Sequence, residues 1–358
     1  MYVDMLDLFM ECAQIVDDWH GVAFDYVQEG LMLTRDEITR LKDTNTKKLF
    51  DEKKLQLVID LDHTLLHSKS VEKLTPEEKY LENIQTDSGG GGLLYKLESP
   101  ERMVKLRPFV RNFLKEASTM FELYIFTMGS EFYAKQMAQL LDPQGNYFEN
   151  RVISKDDLID KGKKTLDLVL GQESGIIILD DDETVWPDHK ENLITVFPYS
   201  YFSKKRKGKS YSEMKKDASN GALVFTIKFL RGIHGMFFNR NKSILPCNRD
   251  VRILMRILQS KVLKGCVIFF SGVDDDDECK ECSDFVVKAK ELGADCIDTL
   301  DSSSVTHVVS WTKTKAKATE DIGWAKKEKK FLVNQRWIYF SYLLWNREEE
   351  YRFPVVLK

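Results

Sequence analysis

Asp60-Leu61-Asp62-His63-Thr64 sets two carboxylates two residues apart, directly after the apolar run Leu55-Gln56-Leu57-Val58-Ile59. Two other apolar runs also end in polar residues. Ile125-Phe126 leads into Thr127, and Ile178-Leu179 leads into Asp180 and Asp181. Such a set suits phosphoryl transfer. Asp60 can attack phosphorus and form an aspartyl-phosphate. Asp62 can protonate the leaving oxygen and later activate water. A phosphomonoester dianion repels a carboxylate nucleophile, so the chemistry also needs a divalent cation and a lysine. Magnesium prefers hard oxygen donors and keeps several waters. Asp60 and Asp181 can supply those oxygens, with the backbone carbonyl of Asp62. Thr127 offers a hydroxyl to a phosphoryl oxygen. Lys163 and Lys164 precede the third run, and one of them is expected to reach the phosphate. A lone Asp after a strand often caps a helix. Three endings with complementary chemistry point instead to one shared cleft.

For these groups to meet, the runs must lie side by side with their carboxyl ends together. Runs at 55–59, 122–126, 176–179 and 193–197 alternate with helical patterns at 109–121 and 131–141. Alternation of this kind predicts an α/β fold, a parallel sheet with helices on both faces. Ligands bind at the carboxyl edge of such a sheet. Residues 1–50 read as a helical extension, with Thr34 as N-cap and Glu37 at the capping-box position. The charged stretch 71–100, which holds Ser88-Gly89-Gly90-Gly91-Gly92, reads as a flexible insertion. Residues 211–262 look helical, with 231–259 as a linker. From 260 to 355 the pattern changes to a strand at 267–271, a helix at 284–292 stopped by Gly293, a strand at 306–310 and a helix at 335–344. A second, small α/β domain is expected there.

The 358 residues allow two domains, and 43% hydrophobic with 31% charged residues suits packed cores. A net charge of −4 argues against wholesale nucleic-acid binding. The charges are uneven: 203–210 reads SKKRKGKS and 274–278 reads DDDDE. The basic run suits a nuclear-import signal, a patch for an acidic partner or a solvated loop. No stretch of eighteen apolar residues occurs, and acids stand where a secretory signal needs bases, so an intracellular protein without a membrane span is expected. Six cysteines in such a chain are expected to be reduced. Cys279-x-x-Cys282 lacks a matched second pair, which argues against zinc. His63 and His67 lack the intervening Glu of a zinc-protease helix and read as substrate-edge or surface residues.

Asp60-Leu61-Asp62-His63-Thr64 matches the DxDx[TV] motif of the haloacid-dehalogenase superfamily. With Val185-Trp186-Pro187 it resembles the FCP/SCP branch, phosphatases of the RNA polymerase II C-terminal domain. Gly21-Val22-Ala23-Phe24, Val104-Lys105-Leu106-Arg107-Pro108, Phe126-Thr127-Met128-Gly129 and Val169-Leu170-Gly171 resemble the plant members. The resemblance implies a HAD-like (Rossmannoid) phosphatase domain over 51–230. It implies Asp60 as nucleophile and metal ligand, and Asp62 as acid/base with its carbonyl on magnesium. Thr64 would support the loop, Thr127 would bind phosphate, and Lys164 rather than Lys163 would be the motif lysine. Asp180 would hold that lysine and Asp181 the metal. Arg107 is a candidate substrate contact. Plant relatives carry paired cysteines before the Gly-Val-Ala-Phe stretch, whereas this chain has Cys12 alone.

Residues 260–355 resemble a BRCT domain through Leu263-Lys264-Gly265-Cys266, Gly293-Ala294, Thr306-His307-Val308-Val309 and Trp337. Trp337 is expected to be a core anchor. Ser271-Gly272 resembles the phosphopeptide-binding turn of that family, but Asp321 stands near where a lysine is expected, with Lys315 and Lys317 close by. An acid there repels phosphate. The combined expectation is a nuclear, magnesium-dependent protein-serine phosphatase acting on the phosphorylated repeats of RNA polymerase II. The BRCT partner is unspecified, and no nucleic acid or membrane is bound. The alternatives are a small-molecule phosphatase of the same fold and a BRCT-directed binding protein with weak catalysis.

Overall fold

The computed structural model describes residues 21–83, 93–98, 101–202, 221–239, 249–271, 280–301, 303–311 and 316–355. The runs at 203–210 and 274–278, Cys12, Cys247 and Cys279 lie outside them. The chain forms two compact units, Met1–Arg252 and Ile253–Lys358.

The first unit opens with a two-stranded antiparallel ribbon, β1 (Gly21–Ala23) and β2 (Met32–Thr34). Residues 21–34 therefore depart from the helical extension expected there. Phe24, Leu31 and Leu33 bury themselves with Leu41 and Leu170, which fixes the ribbon on the domain. Helix α1 (Arg35–Asp51) follows. Its capping box forms as the sequence predicts: Glu37 N–H donates to Thr34 Oγ1 and Thr34 N–H to Glu37 Oε2.

Strand β3 (Leu55–Ile59) is buried along its whole length. Next come β4 (Leu66–Ser70), β5 (Leu94–Glu98) and β6 (Glu101–Leu106), an antiparallel sheet in the order β4-β6-β5. The insertion is therefore ordered where it is described. Leu74 and Leu81 of the insertion pack in a small core with Met103 and Phe202 from outside it, which the glycines and charges had disguised.

Helix α2 (Val110–Ala117), β7 (Phe121–Phe126), α3 (Glu131–Leu141), β8 (Val152–Ile153), β9 (Ile176–Asp180) and β10 (Leu193–Thr195) complete the sheet. Its order is β10-β9-β3-β7-β8, and every pairing is parallel. Parallel strands are covered on both faces, so they read as unbroken apolar runs. One core holds Val58, Tyr124, Phe126, Ile153, Leu166, Ile178 and Trp186. The chain builds outward from β3 through β7 to β8, then returns to the other side of β3 with β9 and β10. That reversal opens a crevice at the carboxyl end of β3.

Helix α4 (Ala222–Phe238) crosses the boundary expected at 230/231 and packs on α2. Leu223, Ile227, Leu230, Ile233 and Phe237 are buried at helical spacing, so this segment is part of the first unit rather than a linker. The division between the units falls inside helix α5 (Val251–Gln259), earlier than residue 260.

In the second unit β11 (Val267–Ser271), α6 (Lys280–Glu291), β12 (Asp295–Ile297), β13 (His307–Ser310), α7 (Ala316–Lys327), β14 (Phe331–Asn334) and α8 (Arg336–Leu344) follow in turn. The sheet order is β12-β11-β13-β14, again all parallel. This is the small α/β domain expected from the sequence. Trp337 is fully buried and its indole N–H donates to Glu348 O at 2.7 Å, as a core anchor does. No helix of the described residues is long and apolar enough to cross a membrane.

Candidate active site

The register of the sheet delivers the motif residues to one place. Ile59 pairs with Ile125 on one side and Leu179 on the other. Asp60 N–H donates to Leu179 O, and Thr127 N–H to Ile153 O. Asp60, Thr127, Asp180 and Asp181 therefore leave neighbouring strands at the same level. After Asp60 the chain turns sharply, with the amides of Thr64, Leu65 and Leu66 all directed at Leu61 O. His63 adopts φ 63°, a left-handed conformation that is strained for a residue with a side chain. Its ring Nδ1 lies 2.9 Å from Tyr199 O, and its carbonyl accepts from Tyr199 N–H, which hold the turn in place.

Lys164 settles the choice between the two lysines. Its Nζ lies 2.7 Å from Asp60 Oδ1 and 2.6 Å from Asp180 Oδ2, with only 1% of the side chain exposed, while Lys163 faces solvent. The ammonium also lies over the rings of Phe126 and Trp186. Burial works against its charge, yet Asp60 and Asp180 outweigh burial and raise its pKa. Asp180 is fully engaged: Oδ2 also accepts the Trp186 indole N–H at 2.8 Å, and Oδ1 accepts Asp182 N–H at 3.0 Å.

Asp60, Asp180 and Asp181 each offer an oxygen within 4.8 Å of the others. Burial pushes the Asp60 carboxyl well above its ordinary range, against the pull of Lys164. Burial and then the Asp180 charge push Asp181 up to about 6. Thr64, fully buried, points Oγ1 at Asp181 Oδ1 from 3.4 Å. Among the described residues no donor reaches Oδ2 of Asp60 or of Asp181. Two crowded carboxylates with open oxygens fit a hard divalent cation, and Asp180, already saturated by Lys164 and Trp186, does not compete for it.

Three side chains that the sequence reading passed over complete the cleft. Asp62 Oδ1 accepts from Tyr133 Oη at 2.7 Å and from Ser68 Oγ at 3.1 Å, and those two hydroxyls are 2.8 Å apart. Burial and the Asp62 charge hold the Tyr133 phenol well above its ordinary pKa, so it stays a donor. With Oδ1 held, Oδ2 of Asp62 is the oxygen left to exchange a proton. Arg102 donates from Nη1 to Ser68 Oγ at 2.8 Å. Thr127 accepts Gly129 N–H at Oγ1, which leaves its own hydroxyl hydrogen for an anion. These groups, with Met128, Ser130, Phe132 and Gln136, line a cleft of about 490 Å³.

Two expectations change. Arg107 is 5% exposed and is not a substrate contact: it donates to Thr64 O at 2.9 Å and Phe197 O at 2.7 Å, tying the motif loop to the segment after β10. His67 is buried rather than at the surface, because its Nδ1 accepts the amides of Tyr201 and Phe202. In the second unit the Ser271 hydroxyl donates to Asp321 Oδ2 at 2.8 Å, and both residues are buried. The hydroxyl expected in a phosphopeptide turn is thus already matched to an acid. Gly272, Lys315 and the Lys317 side chain lie outside the described residues.

A model of the NLI interacting factor-like phosphatase family matches residues 55–222, the span holding every group that lines the cleft. RNA polymerase II C-terminal domain phosphatase-like 4 of Arabidopsis thaliana is 44% identical over 96% of this chain and 79% of its own length. Phosphatase-like 3 of the same plant is 35% identical over 91% of this chain but 27% of its own length. The solved structure of Fcp1, an RNA polymerase II CTD phosphatase, is 26% identical with a TM-score of 0.67, covering 88% of this chain and all of that one. A fission yeast Fcp1 variant bound to beryllium fluoride matches over the same shares with a TM-score of 0.66. The chain belongs to the RNA polymerase II C-terminal domain phosphatase family and carries that family's phosphatase domain.

Proposed function

We propose that this chain is a magnesium-dependent protein-serine phosphatase acting on the phosphorylated C-terminal repeats of RNA polymerase II. The observation that carries the reading is Lys164 Nζ bridging Asp60 and Asp180 beside Asp181 at the carboxyl edge of the sheet. The substrate is supported by the Arabidopsis and Fcp1 relatives, which are phosphatases of that domain. A nuclear location goes with that substrate.

The Asp60 carboxylate attacks phosphorus in line with the serine oxygen. The P–O bond to serine breaks as the new P–O bond forms, leaving an aspartyl-phosphate. Oδ2 of Asp62 gives its proton to the departing serine oxygen. It then takes a proton from the water that attacks phosphorus, so phosphate leaves and Asp60 is restored. Tyr133 and Ser68 keep Asp62 in one rotamer through both steps. Lys164 and the Thr127 hydroxyl offset charge on the phosphoryl oxygens. Asp60 and Asp181, with the Asp62 carbonyl, would hold magnesium, which supplies electrostatic stabilisation of the phosphoryl group when bound.

The test is phosphate release from a phosphoserine repeat peptide with magnesium. Asp60→Asn should abolish turnover, and chelation of the metal should do the same. Wild-type rates in Asp60→Asn would overturn the assignment.

A further inference from the structure

Arg102 lines the cleft, yet nothing in the mechanism uses its charge. It projects from β6 with its guanidinium carbon 5.1 Å from the Tyr133 ring centroid. One N–H goes to Ser68 Oγ, while Nε is buried with no hydrogen-bond partner. Among the described residues Arg102 forms no ion pair, unlike the buried Lys164 and Arg151. A guanidinium has five N–H donors, and holding one serine hydroxyl needs a single uncharged one. A half-buried guanidinium with no acid to pair it, lining a cleft, is placed to receive an anion.

The place of Arg102 says which anion. Ser68 Oγ stands between Arg102 Nη1 at 2.8 Å and Asp62 Oδ1 at 3.1 Å. Asp62 faces the leaving oxygen, so the group beyond it is the remainder of the substrate rather than the phosphoryl being transferred. The transferred group already has Lys164 and Thr127. The cleft, at about 490 Å³, is much larger than one phosphate. Phe132, 58% exposed at its mouth, offers an apolar shelf next to Tyr133. A peptide chain leaving the reacting serine can cross that shelf and pass the guanidinium.

We propose that Arg102 is an anion subsite that reads a second negatively charged side chain on the peptide, close to the reacting phosphoserine. The ligand chemistry is a phosphate or carboxylate taken by a planar guanidinium fork. This rests on the phosphopeptide reading above and deepens it. The enzyme then favours substrates that are already multiply charged, and the rate at one serine depends on the state of a neighbour.

Three peptides of one sequence test it with the full chain: singly phosphorylated, phosphorylated again two or three residues away, and carrying Glu at that second place. Wild type should favour the doubly charged peptides by about tenfold in kcat/KM, chiefly through KM. R102Q should bring the ratio to about one. Preference for both companions marks a general anion site, and preference for the phosphorylated one alone marks a phosphate site. If R102Q is too slow to measure, R102K keeps the charge but not the fork and should lower the preference to about threefold. A wild-type ratio of one, or a ratio unchanged in R102Q or in R102K, overturns the subsite. Absence of wild-type turnover on all three peptides would instead remove the phosphopeptide reading itself.

Discussion

Lys164 neutralises Asp60 and Asp180 in a site where water is nearly excluded. Removing one partner of a buried ion pair leaves the others uncompensated, at a cost of roughly 3–5 kcal/mol. Lys164→Ala should therefore lower the urea midpoint strongly, as well as abolish turnover. Added magnesium should restore part of that stability, because a bound cation replaces the lost positive charge. Titrating the metal into the variant and following the midpoint checks both halves. Tyr133 acts at the same scale through one 2.7 Å hydrogen bond to Asp62. Tyr133→Phe should slow phosphopeptide turnover by about tenfold, since Asp62 loses a donor that fixes its rotamer. An aryl phosphate, whose leaving group needs little protonation, should be slowed much less. Rates on the two substrates separate that positioning effect from general damage.

At the scale of elements, the entry to α3 decides where Tyr133 can stand. Gly129 follows Thr127 by two residues, and a Cβ there would lie 2.4 Å from Tyr133 Cδ1. The ring cannot simply swing away, because Arg102 stacks on it and its hydroxyl is bonded to Asp62 and Ser68. Gly129→Ala should displace Tyr133 and reproduce the kinetic signature of Tyr133→Phe, with overpacking costing about 1–3 kcal/mol in addition. A fall in kcat on the peptide, with a smaller fall on the aryl phosphate, checks it. The antiparallel strands on either side of the insertion work at this scale too, carrying Ser68 and Arg102 to the cleft from 34 residues apart. The two strands that flank the stretch read as a loop thus supply half of the support for the acid/base.

At the scale of the whole chain, the two units differ in what titrates inside them. In the second unit the His307 ring is 1% exposed and stacks between Phe331 and Trp337. Burial lowers its pKa below the ordinary 6.5. The folded unit then resists a proton that the unfolded chain accepts. Above 6.5 both states are neutral and the group has no effect. As pH falls through 6.5 the unfolded state binds more protons, so stability drops until the lower folded value is passed. Acid should loosen β13 and its neighbours, and His307→Phe, which keeps the stacking, should flatten that dependence. Hydrogen exchange of the β13 amides between pH 5 and 7.5 on the full chain reads it directly.

The sequence alone determined the parallel sheet and its reactive edge, because both are local properties. Strands buried on both faces must be apolar throughout, and the first polar residue after each run marks its carboxyl end. Asp60, Asp62, Thr127 and Asp181 were legible for that reason, as were the helix cap at Thr34 and the anchor at Trp337. What only the tertiary structure decided were side-chain directions in segments without a clean period. The motif resemblance favoured Lys164 over Lys163, but the residues alone left both open, since adjacent residues of extended chain point opposite ways. The bond from Lys164 N–H to Val185 O fixes which of them faces inward. Arg107 looks like an exposed charge in one dimension, but the carbonyls of Thr64 and Phe197 need a donor, and it is drawn into the interior. Tyr133, Ser68 and Arg102 had no signal at all: they come from a helix and two antiparallel strands whose faces are set by what each packs against.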